Sequence, residues 1–345
     1  MNSNVDCAET WHDGSAASGR KAFLSILRYF AQEIVGSPVR FARVLWRIST
    51  NISMQFRVFA LLRNPVITAW VGANPSFLFK YLPPKYLMQG LTAPARTACF
   101  LRHYRTLDRT FSLSLLSRIL REDVSVFQLI DGGHLFELAV GRSRHVAGSR
   151  HVDHEGEMCV SLLVDGVHVH VLAFTIVPGS ILDSSAGSVL LVTRVQGGLD
   201  VFPLIALASK AMHGIPAEML LMTALHGVAE ALGIREFFGV SATRHLCYEE
   251  EDDAIFKKCY DQFFTRIGAT PTAAGFYAAR FPLPQKPLAE VKRGQKTRTR
   301  ARRAFKMRVT NEVFQFFCRE DSSVAGSFCC DEVSEESETS EPAQA

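Results

Sequence analysis

MCVSLLVDGVHVHVLAF, residues 158–174, is a pair of β-rich arms around Asp165-Gly166. An Asp-Gly pair accepts the positive φ that a two-residue hairpin turn requires, so the arms are expected to fold back on each other. Such a turn pairs Val164 with Val167, Leu162 with Val169, Val160 with Val171 and Met158 with Ala173, an apolar face that must be buried. The opposite face would carry Glu157, Cys159, Ser161 and Leu163 beside His168, His170, Leu172 and Phe174.

The pattern extends in both directions. VSVFQLI and HLFELAV flank Asp131-Gly132-Gly133 as a second hairpin, and SVLLVTRV, residues 188–195, is a further strand ending at Gln196-Gly197-Gly198. Helices are expected from Pro94 to about Leu107 and from Leu113 to Arg121. After the strand over 188–195 come two more helices: Gly214 caps one, Pro216 opens the next, and Gly233 ends it. IREFFGVS reads as a buried strand, residues 253–267 as a helix, and residues 276–281 as a last strand. Paired strands followed by helix-strand alternation give an α+β class with a mixed sheet. The boundaries expected are a disordered segment over 1–20, a helical N-terminal region over 21–122, an αβ domain over 123–308, and an acidic, disordered tail over 319–345.

At 345 residues, 48% hydrophobic and 21% charged, the chain has the composition of a folded globular protein. No apolar run reaches the roughly 18 residues needed to span a bilayer, and residues 1–20 lack the apolar centre of a signal peptide. Eight scattered cysteines without a CxxC suggest reduced thiols rather than a disulfide or zinc frame. The net charge of +4 hides a segregation, with residues 286–308 strongly basic and residues 331–341 acidic.

Three groups of residues could carry chemistry. HVDHEGEM, residues 151–158, places Glu155 and Glu157 on one side of an extended chain, about 6 to 7 Å apart by the rise per residue. There they could act as an acid-base pair in a cleft or bind a basic partner, with Tyr260 as a further proton carrier. Nearby arginines oppose a metal, and none is expected at these residues. Arg194, Gln196, Gly197 and Gly198 join a strand to a helix, a junction whose N–H groups can cradle a pyrophosphate. The third group is KRGQKTRTRARRAFKMR, where Lys292, Arg293, Lys296, Arg298, Arg300, Arg302 and Arg303 suit an anionic surface. Only Phe305 offers a stacking ring there, which disfavours nucleic acid. Residues 21–70 add amphipathic helices bearing Arg28, Arg40, Arg43, Arg47, Arg57 and Arg63, a pattern that fits either a membrane surface or helices packed with arginines outward.

The glycine loop resembles a degraded form of the acyl-coenzyme A loop of the GNAT acetyltransferases. That resemblance implies a GNAT-like sheet and an acyltransferase using coenzyme A, the alternative reading; otherwise no cofactor is expected. The whole ordered set resembles the VirK/YbjX family of bacterial proteins across about residues 64–303. It comprises His103-Tyr104, His154-Glu155-Gly156-Glu157, Gln196-Gly197, Lys210, His213-Gly214 with Pro216, Val240-Ser241, Tyr260-Asp261, and Phe281-Pro282-Leu283-Pro284 with a basic close. The sequence departs from that pattern at Phe263-Phe264 and Gly268-Ala269. The resemblance implies a protein of unassigned activity acting in virulence, cell-envelope remodelling or antimicrobial-peptide tolerance. It would be cytoplasmic or peripheral to the inner membrane, with the anionic membrane surface or an envelope protein as partner.

Overall fold

The computed structural model describes residues 9–143 and 154–322. His151, Asp153 and the acidic segment from residue 323 onward lie outside the described residues, and with them the expectations placed there.

The N-terminal region is helical: α1 (Glu9–Gly36), α2 (Pro38–Ser49), α3 (Ile52–Phe59), α4 (Pro65–Ala73), α5 (Ala93–Thr110) and α6 (Leu113–Arg121). Helix α1 begins inside the span expected to be disordered, because Ala16 and Ala17 continue helical propensity into the apolar run at Phe23 and Leu24. Pro65 starts α4 under an Asn64 side-chain cap, and Thr92 caps α5, where its hydroxyl accepts from Ala95 N–H.

Eight strands form one mixed sheet in the order β1-β2-β3-β4-β5-β6-β8-β7. They are β1 (Val124–Asp131), β2 (His134–Arg142), β3 (Met158–Val164), β4 (Val167–Val177), β5 (Val189–Gly197), β6 (Glu236–Val240), β7 (Thr270–Pro271) and β8 (Phe276–Arg280). All neighbours are antiparallel except β5 and β6, whose parallel pairing needs the crossover supplied by α7 (Phe202–Ala211) and α8 (Ala217–Ala231). The α+β class and the helical N-terminal region are therefore as expected.

The decisive hairpin forms, with Asp165 at φ 50 and Gly166 at φ 78 and Val164 opposite Val167. Its register is corrected further along. A bulge between Leu162 and Leu163 shifts β4 by one residue, so Leu162 faces His170, Val160 faces Leu172 and Met158 faces Phe174. The core face is accordingly Val160, Leu162 and Val164 with Leu172, Phe174 and Ile176, each fully buried. His168 pairs with Leu163 and keeps the face of Leu163 and Ser161, whereas His170 lies on the buried face opposite Leu162, so the bulge separates the two histidines.

Residues 253–266 are helical, in two α segments (α9, Asp253–Phe256; α10, Gln262–Arg266) joined by a π turn at Lys257–Asp261. The largest addition to the sequence reading is α11 (Lys296–Ser322), which absorbs the basic segment and the first residues of the expected tail. Phe305, Val309, Val313 and Phe317, each four apart, bury one stripe of it. The stripe packs on α8, where a Cβ on Gly227 would stand 2.6 Å from Thr310 O and 2.8 Å from Val313 Cβ, so only glycine allows the helices this approach.

Candidate functional site

Glu155 and Glu157 flank Gly156 just before β3, and the structure sends them into two separate buried networks rather than one cleft. Glu157 is fully buried. Its Oε2 accepts from Lys80 Nζ at 3.1 Å and from Tyr104 Oη at 2.5 Å, and its Oε1 accepts from Tyr86 Oη at 2.7 Å. Burial opposes ionisation, but Lys80, His103 and the two phenols outweigh it and hold the carboxyl below its ordinary value. His103, also fully buried, accepts Ile176 N–H at Nδ1, and burial lowers its pKa to about 4.

Glu155 serves the second network. Its Oε2 accepts from Arg194 Nη1 at 2.8 Å and its Oε1 from Cys247 Sγ at 3.1 Å, with His245 Nε2 3.9 Å away. His245 Nδ1 accepts Cys247 N–H, which puts the ring proton on Nε2, 2.9 Å from Tyr260 Oη. Burial, then the positive charge of Arg194, lowers the His245 pKa to about 3. The π turn positions Tyr260 for this contact, and the adjacent Asp261 accepts from Ala242 N–H at 2.8 Å. Tyr260 and Glu155 thus belong to one network, linked through His245, a residue the sequence reading did not single out.

Residues 80–91 lie across both networks. Leu87 N–H donates to His154 O and Gln89 N–H to Arg244 O, while Arg96 from α5 holds the segment by donating to the carbonyls of Tyr81, Leu82 and Leu91. The donor atoms of Glu155, His245 and Cys247 lie within 4.8 Å of one another, the spacing of a three-ligand metal site. The residues do not fit a cation. Arg194 already supplies the positive charge to Glu155, the His245 proton sits on the nitrogen that would ligate, and burial with the Glu155 contact raises the Cys247 thiol pKa to about 12.

At the glycine loop, Arg194 is 3% exposed and turned to Glu155, while Gln196 is exposed. Gly198 N–H donates to Val169 O. The loop therefore lacks both the free guanidinium and one of the N–H groups that a pyrophosphate cradle would use.

The cations gather at the surface. Lys292, Arg293, Arg298 and Arg300 are exposed, and Lys296, Arg302 and Arg303 are half-buried. Arg302 donates to His213 O at 3.0 Å and to Gly214 O at 2.6 Å, and Arg303 donates to Lys286 O.

A second surface feature lies on the N-terminal helices. Phe23, Leu24, Leu27 and Val35 of α1, Val39, Leu45 and Trp46 of α2, and Ile52 and Phe56 of α3 are exposed by 44 to 87%. On α1 the inner face is Ala22 and Ile26, so Phe23, Leu24 and Leu27 occupy the side turned away from the core. Residues 19–63 contain eight Lys and Arg and one acid, Glu33. Among the described residues, no helix is long and apolar enough to cross a membrane.

A family model described as a protein of unknown function (DUF535) matches residues 38–313. No curated protein matches. Among solved structures, a mutant form of a cAMP-binding acyltransferase from Mycobacterium smegmatis is similar at 12% identity with a TM-score of 0.25. That match covers 63% of this chain and 61% of the other, so the chain spans less than two thirds of that protein's length. The family match extends over most of the sequence, and the chain belongs to the DUF535 family.

Proposed function

We propose that this DUF535 protein works at an anionic membrane surface, lying on it through α1 to α3 rather than crossing it. The observation that carries the reading is the exposed row of Phe23, Leu24, Leu27, Trp46 and Phe56, interleaved with Lys21, Arg28, Arg43 and Arg57. Packed helices with arginines outward would keep their large apolar residues inward, whereas here both kinds share the outer side. Apolar side chains inserted at the headgroup boundary and cations against anionic lipid, each cation adding about 1 kcal/mol, make a binding surface together. The exposed cations Lys292 and Arg293 just before α11, and Arg298 and Arg300 on it, extend the positive surface. From that position the protein would exercise the envelope, virulence or peptide-tolerance role that the VirK/YbjX resemblance implies.

The acyltransferase alternative has less support, because Arg194 is committed to Glu155 and Gly198 N–H to Val169 O. Flotation of the full chain with vesicles of phosphatidylglycerol and phosphatidylcholine tests the proposal. Binding should need the anionic lipid, weaken with salt, and fall at least about tenfold in Phe23→Glu/Trp46→Glu. Equal flotation of the variant, or a soluble dimer that the same substitutions dissolve, would give the apolar row to another partner.

A further inference from the structure

A groove of about 480 Å³ opens between the start of α8, residues 284–295 and the first turns of α11. Its size lies within the range of small-molecule sites, roughly 300 to 1,000 Å³. Lys286, Lys292, Arg302, Arg303 and Lys306 line it against a single acid, Glu290. Glu290 stands 4.0 Å from Lys286 in an exposed pair, and no ion pair among the described residues reaches the other four cations.

Two of these cations are also fixed in place. Arg302 is tied to the carbonyls of His213 and Gly214 and Arg303 to that of Lys286, so both guanidiniums are oriented before any ligand arrives. Prior ordering of this kind reduces the entropy lost on binding. Lys306 is half-buried, and burial followed by the charges of Arg303 and Arg302 lowers its pKa. Removing water from a like-charged cluster costs free energy that a bound anion would return. Ile215, Pro216 and Met219 give the groove an apolar wall beside the cations.

We propose that this groove binds a phosphate-bearing small molecule, with the phosphate on Arg302, Arg303 and Lys306 and its less polar part against Ile215, Pro216 and Met219. The site is independent of the membrane-facing helices, since none of its lining residues belongs to α1, α2 or α3. A phosphate group of this kind could come from a soluble phosphate ester or from a phospholipid headgroup.

Thermal unfolding of the full chain, titrated with pyrophosphate, ADP and monomeric dihexanoyl phosphatidic acid, separates these sources. Stabilisation should be saturable. It should be weakened about tenfold or more by Lys306→Gln or Arg303→Gln and kept by Arg300→Gln, whose residue lies outside the groove. Because no acid among the described residues pairs with Lys306, Lys306→Gln is expected to fold at least as stably as the parent. A response to pyrophosphate or ADP assigns a soluble ester, and a stronger response to phosphatidic acid assigns a headgroup. No saturable response to any of the three, or equal loss in Arg300→Gln and Lys306→Gln, overturns the proposal.

Discussion

Lys80 Nζ stands 3.1 Å from Glu157 Oε2 with side chains 8% and 0% exposed, so neither charge has bulk water as an alternative partner. Removing one member leaves the other buried and unpaired, at a cost of roughly 3 to 5 kcal/mol. Glu157→Gln should therefore lose about that much stability in urea denaturation. Adding Lys80→Met should recover part of the loss, a coupling that a double-mutant cycle reads directly. Loss of function in Glu157→Gln accordingly counts as a chemical effect only after the variant is shown to be folded.

Acid should act in two stages. His103 and His170 have pKa values lowered to about 4, and His245 to about 3, in each case by burial. Below the ordinary histidine value of 6.5 the unfolded chain gains protons that the folded chain refuses, so stability must fall from there toward about pH 4. Glu157 has a depressed folded pKa, so its contribution is present above the ordinary value of 4.5 and disappears as pH falls through the folded value. Denaturant midpoints measured between pH 7.5 and 4.5 should decline throughout. A midpoint constant from pH 7 to 5 would contradict the neutral burial of the three histidines.

Cys247 and Cys259 should react very differently with alkylating agents. The Cys247 thiol donates to Glu155 Oε1 and its pKa is raised to about 12, leaving little thiolate at pH 8. Cys259 is exposed. Mass spectrometry after brief iodoacetamide treatment of the native chain should find Cys259 modified and Cys247 intact. Burial is the larger cause of that high pKa and Glu155 adds to it, so Glu155→Gln should bring Cys247 part of the way toward reactivity.

Much of the sheet could be read from turn chemistry. Asp165-Gly166 and Gly132-Gly133 adopt positive φ and place their hairpins as expected. The bulge at Leu162 and Leu163 could not be read, because VHVHVLAF supplies β-forming apolar residues in both registers and either side of the shift buries well. Helix α11 is legible in principle, since Phe305, Val309, Val313 and Phe317 repeat every four residues, but the Lys and Arg that dominate its first turns mask that apolar stripe. For the buried site, the two glutamates and Tyr260 were visible from residue type and position. Their partners Lys80, Tyr86, His245 and Cys247 lie far away in sequence and meet them only through tertiary packing. The outward setting of Phe23 likewise depends on which face of α1 is covered by α4, which periodicity alone does not decide.

Trp46, 69% exposed on α2 among Arg43 and Arg47, is the residue that the membrane reading commits most firmly to lipid. Brominated acyl chains quench an indole only on close approach, so the most direct measurement is Trp46 fluorescence in a chain carrying Trp11→Phe and Trp70→Phe. The protein would be mixed with vesicles of brominated phosphatidylglycerol and, separately, with brominated phosphatidylcholine. The account predicts a blue-shifted emission and strong quenching with the anionic vesicles, reversed by high salt. Unshifted and unquenched emission with both would contradict it.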